Sequence, residues 1–290
     1  MRELVVLSGK GGTGKTSLAA SFAVLAGDAV VADCDVDAAD LHLVLAPRPR
    51  QRRDFTSGCV AVIRPHDCTG CGACADLCRF DAIGGETRGD GVPVFRVDPV
   101  GCEGCGVCVR FCPVQAIDFP ECLCGEWLIS DTRCGPMVHA RLKAAAENSG
   151  KLVALVRREA RRLAEEEKRE RIIVDGPPGI GCPVIASLSG ASLVLAVTEP
   201  TVSGEHDLER VLSLARHFQV PAAVCVNKWD LNPEMTGRIE KRVAAAGARL
   251  TGRVRYDAGV TAAQLREQAV VETGAPCVDD IREIWNNLQL

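Results

Sequence analysis

Eight cysteines fall in two runs of identical spacing. Cys68, Cys71, Cys74 and Cys78 form the first C-x2-C-x2-C-x3-C, and Cys102, Cys105, Cys108 and Cys112 form the second. The residues that follow repeat as well, Asp81-Ala82-Ile83 after the first run and Gln115-Ala116-Ile117 after the second, so the segment is a tandem duplication. Three thiolates at two-residue spacings can wrap three corners of an iron–sulfur cubane, and the fourth cysteine of each run crosses to the other cluster. This spacing predicts one [4Fe-4S] cluster on Cys68, Cys71, Cys74 and Cys112, and a second on Cys102, Cys105, Cys108 and Cys78. Structural zinc sites use two separated pairs and four ligands per ion, which would strand the extra cysteines. The second run ends Cys112-Pro113 and the first Cys78-Arg79, a difference that leaves ligation intact and bears on the potential of the cluster Cys78 would ligate.

A second constellation opens the chain. Gly9-Lys10-Gly11-Gly12-Thr13-Gly14-Lys15-Thr16, with Ser17 after it, satisfies the phosphate-loop pattern G-x-x-x-x-G-K-[ST]. Glycines let the backbone N–H groups of residues 11–17 converge on phosphates, and a helix N-terminus adds its partial positive charge. Lys15 suits the β- and γ-phosphates and the Thr16 hydroxyl suits Mg²⁺. Carboxylates and an amide close other apolar runs: Asp33-Cys34-Asp35, Asp175 and Asn227-Lys228-Trp229-Asp230.

The elements that must hold these groups are legible as short apolar runs at 4–7, 29–32, 171–174, 193–197 and 222–226, with helical stretches at 17–27, 152–167, 204–218 and 233–246. Apolar strands alternating with helices, with polar residues at the strand C-termini, predict a parallel sheet covered on both faces. Between residues 64 and 120 the periodicity gives way to cysteine and glycine. The expected architecture is α/β, a doubly wound, mostly parallel sheet in two sequence parts, 1–63 and 121–290, interrupted by a small α+β insert at 64–120.

Composition agrees with an ordinary globular chain: 290 residues, 47% hydrophobic and 25% charged, with 16 cysteines as the outlier. Lys and Arg number 34 against 38 Asp and Glu, a net charge of −4, and the insert's five basic and eight acidic residues carry −3 of it. No global field attracts nucleic acid. The N-terminus has no signal-peptide pattern and no apolar stretch reaches the roughly 18 to 20 residues of a membrane span, so a cytoplasmic, reducing compartment is expected.

The extra lysine in Lys10-Gly11-Gly12-Thr13-Gly14-Lys15-Thr16 resembles the deviant Walker A loop of the MinD/ParA ATPases, the group that includes the nitrogenase iron protein and the Mrp-type cluster carriers. The cysteine runs resemble a bacterial two-cluster ferredoxin. The first resemblance implies that Lys10 reaches across a nucleotide-sandwich dimer, homodimeric or with a related ATPase, to the partner's phosphates. It implies that Asp35 orients the attacking water, that Asp33 and Asp175 stand by Mg²⁺, and that Asn227 holds adenine. Asn227-Lys228-Trp229-Asp230 also spells the Asn-Lys-x-Asp of GTPases, and the deviant loop favours ATP.

The implied function is an ATPase whose Mg²⁺-dependent dimerisation and hydrolysis, through Lys10, Lys15 and Asp35, are coupled to two clusters in electron transfer to a redox partner. The alternatives are a carrier that assembles or delivers clusters or metallocofactors to an accepting protein, and a redox-sensing positioning ATPase. Cys122, Cys124, Cys134 and Cys182 are candidates for further thiol or metal chemistry, while Cys34, Cys59, Cys225 and Cys277 read as core packing. The same resemblance singles out His139. Ile281, Ile284, Trp285 and Leu288 line one face of a C-terminal helix that lacks the basic face a membrane anchor needs, and packing onto the sheet is expected.

Overall fold

The computed structural model describes residues 1–89, 91, 93–143 and 148–289. In chain order the strands are β1 (Arg2–Ser8), β2 (Val30–Asp33), β3 (Arg48–Cys59), β4 (Val62–Ile63), β5 (Ile83–Thr87), β6 (Pro93–Val97), β7 (Ile117–Asp118), β8 (Glu121–Thr132), β9 (Gly135–Leu142), β10 (Arg171–Pro178), β11 (Leu193–Thr198), β12 (Ala222–Asn227) and β13 (Arg249–Val254). The helices are α1 (Lys15–Ala26), α2 (Leu41–Leu45), α3 (Ala73–Asp76), α4 (Val107–Arg110), α5 (Ser149–Glu166), α6 (Cys182–Leu188), α7 (Val202–His217), α8 (Pro233–Ala245), α9 (Gly259–Gln264) and α10 (Cys277–Leu288). The chain divides into two compact units, Met1–Arg53 with Glu126–Leu142 and Ser149–Leu290, and Asp54–Gly125 with Lys143–Asn148.

The first unit is built on a sheet of order β13-β12-β11-β1-β10-β2-β9-β8-β3 among the described residues. From β13 to β9 every neighbour pairs in parallel. Leu4, Val5, Val6 and Leu7 of β1 are all fully buried, as a parallel strand covered on both faces requires. Register does the positioning: Val6 pairs with Asp175, and Asp175 pairs with Asp33, so two carboxylates stand side by side at the C-terminal edge.

α1 starts where Gly14 takes the left-handed conformation at φ 88°. A Cβ there would also lie 2.3 Å from Asn227 Nδ2, so only glycine fits. On the face behind the loop, α1 and α10 close the core. Ile281, Ile284 and Leu288 are buried with Leu4, Phe22 and Ile173, and Trp285 stacks on Phe22 with ring centroids 5.5 Å apart. Truncating Ile284 to Ala would cost about 2–5 kcal/mol.

Beyond β9 the sheet departs from the sequence expectation. β8 reverses into β9 through Arg133-Cys134, a two-residue hairpin and therefore antiparallel, and β3 forms the edge. Arg48, Pro49, Arg50, Arg52 and Arg53 are exposed in β3, so no apolar alternation marked it as a strand.

The second unit pairs β4 with β7 and β5 with β6, both antiparallel. Ala61, Ile63 and Ile117 make its small core, packed against Cys68, Cys74, Cys102, Cys108 and Cys112. The duplication is repeated in the backbone: Gly70 and Gly104, Gly72 and Gly106, and Asp81 and Gln115 all have positive φ at matched positions. Among the described residues no helix is long and apolar enough to cross a membrane.

Candidate functional site

Parallel strands deliver their C-terminal ends to one edge, where ligands are met. The glycine loop follows β1, Asp33 ends β2, Asp175 lies in β10, Glu199 follows β11 and Asn227 ends β12. Gly11 and Gly12 are exposed at the loop's tip and Thr13 is buried beneath it. Ser17 accepts a hydrogen bond from Gln264 Nε2 at 3.0 Å.

Lys15 is almost fully buried, and its Nζ donates to Asp175 Oδ1 at 2.8 Å and Asp35 Oδ2 at 3.2 Å, with Thr16 Oγ1 at 3.5 Å. Asp33 Oδ1 accepts from the Asp35 N–H at 3.2 Å. Three carboxylates thus surround one ammonium. Burial pushes the Asp33 carboxyl well above the usual range and the nearby Asp175 adds to the effect; burial likewise raises Asp35, with Lys15 opposing. Burial works against the charge of Lys15, yet Asp175 and Asp35 outweigh it and raise its pKa. Asp33 Oδ2, Asp175 Oδ2 and Thr13 Oγ1 are buried without a hydrogen-bond partner. Buried acceptors left unpaired are costly, so this corner is built for a group that is positive.

Lys10 stands at the outer side. Its Nζ is 2.5 Å from Glu199 Oε1 and donates to Ser203 Oγ at 3.1 Å and Thr201 Oγ1 at 3.4 Å. Lys228 Nζ donates to Glu199 Oε2 at 3.2 Å and to the Gly12 carbonyl at 2.8 Å. Burial opposes the charge of Glu199, but the two ammoniums hold its pKa below the usual value. Sequence reasoning passed over Glu199 and Lys228 in this role. The signal for Glu199 was available in an acidic residue directly after the apolar run that ends β11.

Asn227 is engaged with the loop itself: Nδ2 donates to the Thr13 carbonyl at 2.7 Å and Oδ1 accepts from the Lys228 N–H at 3.0 Å. Asp230 Oδ1 accepts from the Tyr256 N–H at 2.7 Å.

In the second unit, Cys68, Cys71, Cys74 and Cys112 line one cavity. Cys78, Cys102, Cys105 and Cys108 line another. The crossed sets read from the spacing are therefore each gathered around one space. Cys71 and Cys105, at matched positions, are exposed, and the other six are half-buried. The thiols ring their cavities, and among the described residues no three His, Cys, Asp or Glu side chains converge as ligands of a single ion.

The other cysteines are scattered. Cys34, Cys225 and Cys277 are buried, whereas Cys59, expected in the core, is only half-buried at the end of β3. Cys124 is buried and its Sγ donates to the Ser57 carbonyl, Cys134 is buried beside Thr132, Cys122 is half-buried and Cys182 is exposed. His139 is a core residue, paired with Ser130 Oγ at 2.8 Å.

A parallel sheet with a glycine loop between its first strand and first helix, facing carboxylates on neighbouring strands, defines a P-loop nucleotide-binding ATPase fold. The chain belongs to the CobQ/CobB/MinD/ParA nucleotide-binding-domain family, whose model matches residues 4–270. It is 32% identical over 233 residues to the uncharacterized protein MJ0578 of Methanocaldococcus jannaschii, covering 79% of each chain. In fold it is similar to the cell division ATPase MinD of Pyrococcus furiosus, with TM-score 0.60, 16% identity and coverage of 99% of this chain and 98% of that one. It is likewise similar to the septum site-determining protein MinD complexed with Mg-ADP from Pyrococcus horikoshii, with TM-score 0.60, 16% identity and coverage of 99% and 95%.

Proposed function

We propose that this protein is a Mg²⁺-dependent ATPase whose nucleotide-driven dimerisation is coupled to electron transfer through two [4Fe-4S] clusters carried by the cysteine segment, 64–120, between ATPase parts 1–63 and 121–290. The observation that carries the ATPase half is Lys15 held between Asp35 and Asp175, with unpartnered Asp33 Oδ2 and Asp175 Oδ2 behind it. On this reading, phosphate draws Lys15 out of the carboxylates, and the charge left behind suits a hard dication with Thr16 as a further oxygen ligand. Gly11, Gly12, Thr13, Gly14 and Ser17 offer N–H groups or a hydroxyl to the phosphates, and Asp35, freed of Lys15, orients the attacking water. Lys10 supplies positive charge to the phosphates of the second protomer.

Adenine is favoured over guanine by the extra lysine of the loop, Lys10, and because Asp230, the carboxylate an Asn-Lys-x-Asp site would offer to guanine through both oxygens, has Oδ1 accepting the Tyr256 N–H. Asn227 acts by holding the loop at Thr13 and stands beside the base.

The two four-cysteine cavities support the cluster half, because thiols that ring a space suit a cubane in which each iron takes one thiolate. Cys68, Cys71, Cys74 and Cys112 would hold one cluster and Cys78, Cys102, Cys105 and Cys108 the other. When bound, such clusters supply one-electron storage. Four ligands at each cavity favour resident clusters over cargo, hence a redox protein as partner, and a reducing, cytoplasmic setting keeps the thiols as ligands.

Anaerobically purified protein should contain about eight irons per chain, as two four-iron clusters require. It should also release phosphate from ATP only with Mg²⁺, and the release should disappear in Lys15→Ala. A colourless, zinc-loaded protein would overturn the cluster half, and Mg²⁺-independent or absent hydrolysis the ATPase half.

A further inference from the structure

We propose that the two cluster sites differ in reduction potential, the site of Cys68, Cys71, Cys74 and Cys112 being the higher, and that Glu103 sets much of the difference. The inference rests on the cluster reading above and concerns this chain's own residues around each cavity.

The tandem duplication makes the comparison internal, because most wall positions of one cavity, the four cysteines among them, have their repeat counterpart in the wall of the other. Thr69 follows Cys68 on the wall of the first cavity, and Glu103 follows Cys102 on the wall of the second. Glu103 is the one charged side chain lining either space among the described residues. Reduction adds a negative charge to a cluster, so a carboxylate on the wall opposes it and a neutral hydroxyl does not.

Hydrogen bonding to sulfur points the same way. The Ala116 N–H donates to Cys112 Sγ at 3.3 Å. Its counterpart would run from Ala82 to Cys78, and no such bond occurs among the described residues. An N–H aimed at a ligating sulfur stabilises the more negative, reduced state. Arg88 adds a guanidinium to the same side, its Nη2 donating to the Cys68 carbonyl at 3.4 Å.

Other charges differ between the repeats as well. Arg79 follows Cys78 where Pro113 follows Cys112, and Asp76 in α3 matches Arg110 in α4. All three are exposed and line neither cavity, so water and salt screen them. Glu103 is exposed too, but it forms part of the wall. The first electron per chain added by a one-electron reductant therefore settles at the Cys68, Cys71, Cys74 and Cys112 site, and the second at the site beside Glu103.

The test is an anaerobic reductive titration of the iron-loaded full chain, followed by electron paramagnetic resonance. Two successive one-electron steps are expected. Glu103→Thr should move the lower step upward and leave the upper one in place, while Thr69→Glu should move only the upper step downward. Coincident steps in the unaltered protein overturn the proposal, as does an unmoved lower step in a Glu103→Thr protein that keeps its iron. An iron-free protein would instead overturn the cluster reading itself, and iron content shows this before any titration.

Discussion

Lys10 and Glu199 form an ion pair of 2.5 Å within one protomer, with Thr201 and Ser203 completing the cradle around the ammonium. On the proposed sandwich, a lysine that is to reach a second protomer's phosphates must first leave this cradle, so Glu199 would oppose dimerisation in proportion to the strength of the pair. Both side chains are partly exposed, which limits that strength to roughly 1 kcal/mol per protomer. Glu199→Gln should therefore tighten the ATP-dependent dimer by about thirtyfold, two such pairs being released per dimer. Lys10→Ala should abolish the dimer while nucleotide still binds the monomer. Sedimentation of both variants with and without ATP checks this, and an unchanged dimer constant in Glu199→Gln counts against the cradle as a lock.

Asp33 is buried beside Asp175 with Oδ2 unpartnered, an arrangement that costs stability when no cation is present. Its folded pKa is raised above the unfolded value, so the penalty is small in acid and grows as pH rises above about 4. Asp33→Asn should stabilise the nucleotide-free protein by about 1–2 kcal/mol at pH 7 and by less at pH 4. The same variant should lose Mg²⁺-dependent hydrolysis. Urea midpoints at the two pH values, alongside phosphate release, separate the effects, and a destabilised variant at pH 7 would show that Asp33 is structural.

The parts of this molecule that were legible in its sequence are those whose cause is local. The apolar run 4–7, the glycine loop and α1 carry their own pattern, and each cysteine run sets three thiols at one cavity by spacing while its fourth lines the other. β3 could not be read in this way. It is held by what lies across it: Arg53 over the Trp127 ring at 5.4 Å, and Arg50 and Arg52 paired with Asp131 and Glu126 of β8. Strand preference of this kind belongs to the neighbour as much as to the residue. Glu199 carried a local signal, its place directly after the run that ends β11, but its partners Lys10 and Gly12-bound Lys228 come from different strand ends. Asn227 was legible as a site residue, but its engagement with Thr13 depends on β12 lying two strands from β1.

The tie between Asp230 and the Tyr256 N–H has a consequence for base choice. With Oδ1 held by the backbone at 2.7 Å, presenting both oxygens to guanine would mean giving up that bond, at about 1 kcal/mol or more. ATP should be hydrolysed in preference to GTP, by about tenfold or more in kcat/KM measured in competition. Asp230→Ala should lower stability and leave the preference standing. A wild-type preference for GTP that Asp230→Ala abolishes would return Asp230 to the role it has in an Asn-Lys-x-Asp site.

His139 provides the clearest pH dependence. Burial, reinforced by the Arg141 charge and then by His42, lowers its pKa from the usual 6.5 to about 4. The folded protein therefore binds the proton less readily than the unfolded chain across that window. The stability this neutral histidine allows is fully present above pH 6.5 and is lost as pH falls toward 4, by roughly 2 kcal/mol at pH 5. The raised Asp33 and Asp35 contribute with the opposite sign, so the difference between proteins is the readable quantity. His139→Gln can still pair with Ser130 and does not titrate. Between pH 7.5 and pH 5 the variant should lose less stability than the wild type in urea unfolding, and equal losses would show that His139 keeps an ordinary pKa in the fold.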